Sequence, residues 1–302
     1  MTSARLRSFI RMSYPLYLLI GAILYSLGAG LARYLGVPVR WDVFWIGLLW
    51  VIFFQASGHY LNAYFGETPA VGVEFRSPFR GAGDAFEPGN LPRQVALWSA
   101  YACLAVTASL TVLMERTVPL DSIAVLLILI AIGVIGYTIP PFRGFTFSYR
   151  ELIVSVWMGG LIPALSFLMQ EGELHRLIAT ISLPLVALHF ALTLVFGLED
   201  FALDIRYQAP SFLVRIGWQE GMNLHNYLIG GAYLLILAGL LFNFPWQIAW
   251  PILLTLPLAA YQVWNMVKIA RGGKPLWRSL QVTAIALFVT VSYLAAFGFW
   301  IR

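Results

Sequence analysis

Nine apolar runs, each about as long as a bilayer's hydrocarbon core is thick, leave this chain few ways to fold. They lie near residues 15–35, 42–65, 94–114, 120–138, 150–169, 177–199, 222–243, 246–267 and 280–301. Lipid offers no partner for backbone N–H and C=O groups, so runs of this length must satisfy them internally, as helices. The sequence therefore predicts an all-α integral membrane protein of nine transmembrane helices. With 60% hydrophobic and 11% charged residues, a soluble globular domain is excluded. No polar linker is long enough to separate two folded units, so residues 1–302 read as a single domain.

Charge sorts by side. With the N-terminus cytoplasmic, fourteen of the nineteen Lys and Arg residues fall on the inner face, from Arg5, Arg7 and Arg11 to Lys268, Arg271, Lys274 and Arg278. The outer face receives Arg33, Arg40, Arg116, Arg176 and Arg302. This is the positive-inside pattern, and it sets the N-terminus inside. The net charge of +5 is thereby assigned to topology and lipid headgroups, not to nucleic acid. The basic start lacks a small-x-small cleavage site and reads as leading into a retained first helix. Cys103 is alone, so no internal disulfide forms.

The chemistry gathers on the inner side. Glu199-Asp200-Phe201-Ala202-Leu203-Asp204-Ile205-Arg206 closes the sixth span, and the i, i+4 spacing puts Asp200 and Asp204 on one helical face, continued backward by Thr193 and His189. Carboxylates this close to hydrocarbon read either as asking for a metal ion or a basic ligand, or as a plain interfacial helix end. A hard divalent ion such as Mg²⁺ takes oxygen donors, often one or two carboxylates plus substrate phosphates, and Asp200 and Asp204 suit it better than zinc. In the second span Gln55, His59 and Asn62 form a polar stripe on one face, read either as lining a cavity or as bonding neighbouring helices. That stripe leads into a loop, 66–92, carrying Glu67, Glu74, Arg76, Arg80, Asp84 and Glu87. Acids for a metal and arginines for phosphate on one side of one membrane point to a phosphorylated lipid substrate.

Three motifs stand in order: Asn62-Ala63-Tyr64-Phe65; Tyr137-Thr138-Ile139-Pro140-Pro141 with Arg143 and Glu151; and Asp200-x-x-x-Asp204-x-Arg206 followed by Ser211-Phe212-Leu213-Val214-Arg215-Ile216-Gly217. In this order and spacing the chain resembles the UbiA-type intramembrane prenyltransferases over residues 55–217. The resemblance implies a nine-helix bundle around a central cavity, with cytoplasmic motifs on helices two and six holding Mg²⁺ and a polyprenyl diphosphate. It implies transfer of the prenyl group to an aromatic or other lipophilic acceptor within the membrane, of the quinone and isoprenoid biosynthesis type. No obligate protein partner is evident in the sequence. Carried over residue by residue, the resemblance assigns Asp200, Asp204 and Glu67 to metal, adds Asn62 to the catalytic set, and gives Arg80, Arg143, Arg206 and Tyr137 to the diphosphate.

One departure is large. The family's first motif reads Asn-Asp-x-x-Asp-x-x-x-Asp, whereas this chain has Asn62, Ala63, Gly66 and Ala70 at those positions. Glu67 and Glu74 are the nearest substitutes. Two readings follow: a working prenyltransferase with an altered first motif, or a catalytically impaired relative that binds isoprenoid or quinone without turnover. A transporter is disfavoured, because the charges cluster at helix ends and not near the bilayer midplane.

Overall fold

The structure is a computed structural model describing residues 3–66, 86, 91–140, 142, 149–209 and 211–302, with side chains for all of these except residues 3, 4, 120, 122 and 137. Glu67, Glu74, Arg80, Asp84 and Arg143 lie outside the described residues.

Among the described residues every long element is a helix. Seven helical stretches among the described residues are long and apolar enough to cross a membrane: Arg5–Tyr34, Trp41–Phe65, Arg93–Glu115, Arg150–Glu171, Arg176–Arg206, Trp218–Phe242 and Trp277–Trp300. An eighth is a pair, Trp246–Leu253 and Leu256–Ala270, bent by 45° at its break. Pro251 inside the first piece and Pro257 at the start of the second account for the bend, since each removes a backbone donor. The remaining expected span, 120–138, coincides with the helix Leu120–Thr138, whose described apolar stretch, Ile123–Gly136, is shorter than a full crossing.

The chain divides into two compact units. One comprises Met1–Ala22 and Trp41–Phe145. It contains α1 (Ser3–Met12), the first turns of α2 (Pro15–Tyr34), α3 (Trp41–Phe65), α4 (Arg93–Glu115) and α5 (Leu120–Thr138). α1 and α2 meet at Tyr14, which takes a left-handed φ of 51°, and Pro15 then opens α2 with its ring pre-set for a first turn. α3 lies along α4, pinned by the Trp50 indole, which donates to Thr111 Oγ1 at 2.9 Å. On α4 the hydroxyls of Ser99, Thr107 and Thr111 each donate to the carbonyl one turn back, so these three do not confront lipid unbonded.

The second unit comprises Ile23–Arg40 and Thr146–Arg302. Beyond the rest of α2 it holds α6 (Arg150–Val156), a π-helical turn (Trp157–Leu161), α7 (Ile162–Glu171) and α8 (Arg176–Arg206). There follow α9 (Phe212–Ile216), α10 (Trp218–Gly239), α11 (Trp246–Leu253), α12 (Leu256–Ala270) and α13 (Trp277–Trp300). α8 is the hub, packed against α10, α13, α6 and the π-helical turn. Its 31 residues carry the helix beyond the apolar run through Arg206, so the acidic motif itself is helical.

Candidate functional site

The first unit supplies the polar stripe. Gln55 is buried, and its side-chain amide donates to the Tyr17 carbonyl at 2.9 Å. That bond answers one open reading: Gln55 ties α3 to α2. His59 stacks on Tyr14 with ring centroids 4.8 Å apart, while Tyr17 meets it edge-on at 6.2 Å. It is an aromatic packing element, and no group of three or more His, Cys, Asp or Glu that could hold a metal ion occurs among the described residues.

Asn62 is half-buried one turn on, and its carbonyl accepts the N–H of Gly66 at 2.9 Å as α3 ends. A Cβ at Gly66 would lie 2.5 Å from the Asn62 oxygen, so the helix end demands glycine there. Arg93 Nη2 donates to the Gly66 carbonyl at 3.0 Å, tying the first turn of α4 to the exit of α3. Tyr137 lies in the last turn of α5.

The second unit supplies the intact acidic motif. Asp200 and Asp204 are half-buried on the last turns of α8, and Arg206 is exposed with its guanidinium 5.8 Å from the Tyr207 ring. Glu199, beside them, accepts a 2.6 Å hydrogen bond from the side-chain amide of the fully buried Gln281 on α13. Phe201 leans on Trp218 at 5.4 Å and Trp218 meets Trp277 edge-on at 5.8 Å. The end of α8 is thus clasped by the starts of α10 and α13.

The segment after the motif is built to hold that end still. Ser211 caps α9 through a 3.4 Å bond from Val214 N to its hydroxyl oxygen. Leu213 is buried in a socket between Gly197 on α8 and Gly221 on α10, where added Cβ atoms would come within 2.7 and 2.5 Å of its methyl groups. Gly217, at φ +86°, opens the turn into α10. Arg215 lies 5.1 Å from the Tyr149 ring.

Further along the Asp200 face the polar groups are engaged within the helix bundle. Thr193 donates to the Phe190 carbonyl at 2.8 Å. His189 Nδ1 lies 3.0 Å from Ser155 Oγ, and Ser155 is also 2.5 Å from the Glu151 carbonyl. A hydroxyl has one proton and a carbonyl can only accept, so Ser155 donates to Glu151 and His189 Nδ1 donates to Ser155. His189 and Thr193 therefore fasten α8 locally.

Sequence reasoning missed Gln281, Leu213's socket and Ser155. Gln281 had a signal, a lone amide near the start of the last apolar run; the other two become visible only when distant helices meet.

The donor set fits a hard cation. Two half-buried carboxylates one turn apart, at a helix end whose dipole favours positive charge, match the oxygen chemistry of Mg²⁺. Among the described residues no group of three or more His, Cys, Asp or Glu side chains stands ready to hold a metal ion.

Several solved structures share this architecture. A UbiA homologue from Archaeoglobus fulgidus bound to Cd²⁺ matches 98% of this chain and 100% of its own at TM-score 0.65 and 14% identity. Its complex with GPP and Mg²⁺ matches at TM-score 0.63 and 15% identity over the same shares. The apo UbiA homologue from Aeropyrum pernix K1 matches at TM-score 0.62 and 13% identity, covering 93% of this chain and 96% of its own. A digeranylgeranylglyceryl phosphate synthase matches at 0.63 and 12%, covering 99% and 97%. The chain has the UbiA fold. No protein-family model and no curated protein matches it.

Proposed function

We propose that this UbiA-fold chain, acting as one domain over residues 1–302, belongs to the UbiA-type superfamily and transfers a prenyl group from a polyprenyl diphosphate to an aromatic or other lipophilic acceptor inside the membrane. The observation carrying this reading is the helical Asp200–Asp204 pair, braced by Gln281 and Leu213, in a fold whose Archaeoglobus fulgidus representative is described bound to GPP and Mg²⁺. The acceptor class and the quinone-type pathway rest on the sequence motifs. Cytoplasmic placement of the site rests on the positive-inside sorting of Lys and Arg.

Asp200 and Asp204 would hold Mg²⁺, with Glu67 as a further oxygen donor. When bound, the ion offsets the charge of the diphosphate leaving group. Arg206, Arg80 and Arg143 are suited to the phosphate oxygens by their planar forks, with Tyr137 and Asn62 as neutral hydrogen-bonding groups. The chain's part in the reaction is to orient the diphosphate as the allylic carbon–oxygen bond breaks. The acceptor carbon then bonds the prenyl carbon and releases its proton.

The test is calorimetric titration of a non-hydrolysable prenyl diphosphate analogue into the detergent-purified protein, with and without Mg²⁺. Mg²⁺-dependent binding that disappears in Asp200→Ala supports the assignment, and equal binding by that variant overturns it. A second reading, a relative that binds isoprenoid or quinone without turnover, is favoured by Ala63, Gly66 and Ala70 standing where the family carries aspartates. It calls for lipophile binding untouched by chelator and no diphosphate release with any acceptor.

A further inference from the structure

The loop between α12 and α13 concentrates positive charge beside a cleft. No Asp or Glu occurs anywhere after Glu220, while Lys268, Arg271, Lys274 and Arg278 fall within eleven residues. The cleft, of about 450 Å³, is lined by Trp264, Val267, Lys268, Arg271, Gly272 and Gly273. Lys268 Nζ sits 5.6 Å from the centre of the Trp264 ring.

The plainest use for basic residues at the end of a helix is to satisfy its last carbonyls. Here the backbone already does this. Arg271 N donates to Val267 O at 3.1 Å, Gly272 N to Ile269 O at 2.9 Å and Gly273 N to Lys268 O at 2.9 Å, with Gly272 at φ +89° to make the turn. These carbonyls therefore do not need the basic side chains, of which Lys268 instead meets the Trp264 ring.

The walls are also fixed in advance. Gln262 on α12 donates to the Leu280 carbonyl at 2.7 Å and bonds Thr283, and Tyr261 lies within 3.2 Å of the Ser279 hydroxyl. The two helices flanking the loop are therefore clamped together beside it. Trp264, which lines the cleft, is 59% exposed, an amphipathic ring of the kind that sits at the headgroup level of a bilayer. Through Trp277, Trp218 and Phe201 this loop lies at the same end of its unit as Asp200.

We infer that this cleft is a binding site for the phosphate of an anionic phospholipid, with Lys268 and Arg271 on the phosphate and Trp264 against the glycerol and upper acyl region. A lipid fits better than a soluble phosphate or diphosphate because the exposed Trp264 ring lines the cleft beside the cations. A topology signal requires cations and no cleft. The inference is independent of whether the chain transfers prenyl groups.

The experiment is native mass spectrometry of the full chain released from nanodiscs of equal phosphatidylglycerol and phosphatidylcholine with matched acyl chains. Each cation near an anionic headgroup is worth about a fivefold preference. The wild type is expected to retain phosphatidylglycerol by that margin or more, and Lys268→Gln/Arg271→Gln to lose it, with Arg302→Gln unchanged. Because removing inner cations can disturb insertion, Trp264→Leu, which keeps every charge, provides a second arm and is expected to weaken retention severalfold. Undiminished preference in Lys268→Gln/Arg271→Gln, or undiminished lipid retention in Trp264→Leu, overturns the site. Displacement of the bound lipid by glycerol phosphate or inorganic diphosphate at comparable concentration overturns the lipid assignment in favour of a free phosphate.

Discussion

Gln281 donates a 2.6 Å hydrogen bond to Glu199, joining the first turns of the last helix to the acidic end of α8. The amide is fully buried and its partner carboxylate stands next to Asp200, so the contact fixes the azimuth of the helix end from which both aspartates project. Gln281→Leu keeps the volume and removes the donor. The expected result is a loss of about 1.5 kcal/mol in stability, the low end for a hydrogen bond to a charged group because Glu199 is half-buried. It should also weaken Mg²⁺-dependent analogue binding, with thermal unfolding in detergent and calorimetry as the two readouts. Unchanged values in both would mean that α8 holds its end without α13.

Leu213 makes the same argument through packing. It fills a socket between two glycines, and its truncation leaves a hole that rigid helices close poorly. Leu213→Ala is expected to cost about 2–5 kcal/mol. Gly221→Leu should be at least as damaging, since its first added carbon already falls 2.5 Å from Leu213 Cδ2. Unfolding midpoints in one detergent would rank the two variants against the wild type.

His59 gives a prediction of the opposite sign. Its ring is held by Tyr14 and Tyr17, as a flat aromatic group would be. His59→Phe should therefore leave folding and Mg²⁺ dependence near wild type, whereas His59→Ala, which opens the stack, should destabilise. A loss of Mg²⁺ dependence in His59→Phe, measured by the same calorimetric titration, would make the imidazole a ligand.

The sequence made the helices legible because bilayer length and apolar composition are local properties, and the Asp200–Asp204 face was readable because α8 continues unbroken through the motif. The 45° break in the span read as 246–267 was written in Pro251 and Pro257, yet hydropathy averages over such breaks. The end of the second motif was less legible. Gln281 and Glu199 are 82 residues apart, and nothing in either one's neighbourhood names the other. Polar stripes were ambiguous for a related reason: Gln55 looks the same in sequence whether it faces a cavity or, as it does, the Tyr17 carbonyl.

The altered first motif offers the most direct trial of the proposed chemistry, and the geometry separates its two nearest repairs. Gly66 has no room for a side chain, because a Cβ there would meet the Asn62 carbonyl at 2.5 Å, so Gly66→Asp should disrupt the end of α3 and lower stability. Ala63 is half-buried beside the cluster around Tyr60 and Leu61, where an unpaired carboxylate is costly. Ala63→Asp should thus unfold at a lower temperature without metal and recover when Mg²⁺ and the diphosphate analogue are both present. Its affinity for the analogue should exceed the wild type's only while Asp200 is intact; the gain should vanish in Ala63→Asp/Asp200→Ala. If Ala63→Asp changes nothing while Glu67→Gln abolishes binding, Glu67 already supplies the missing oxygen donor, and the first motif has moved along the chain with its function kept.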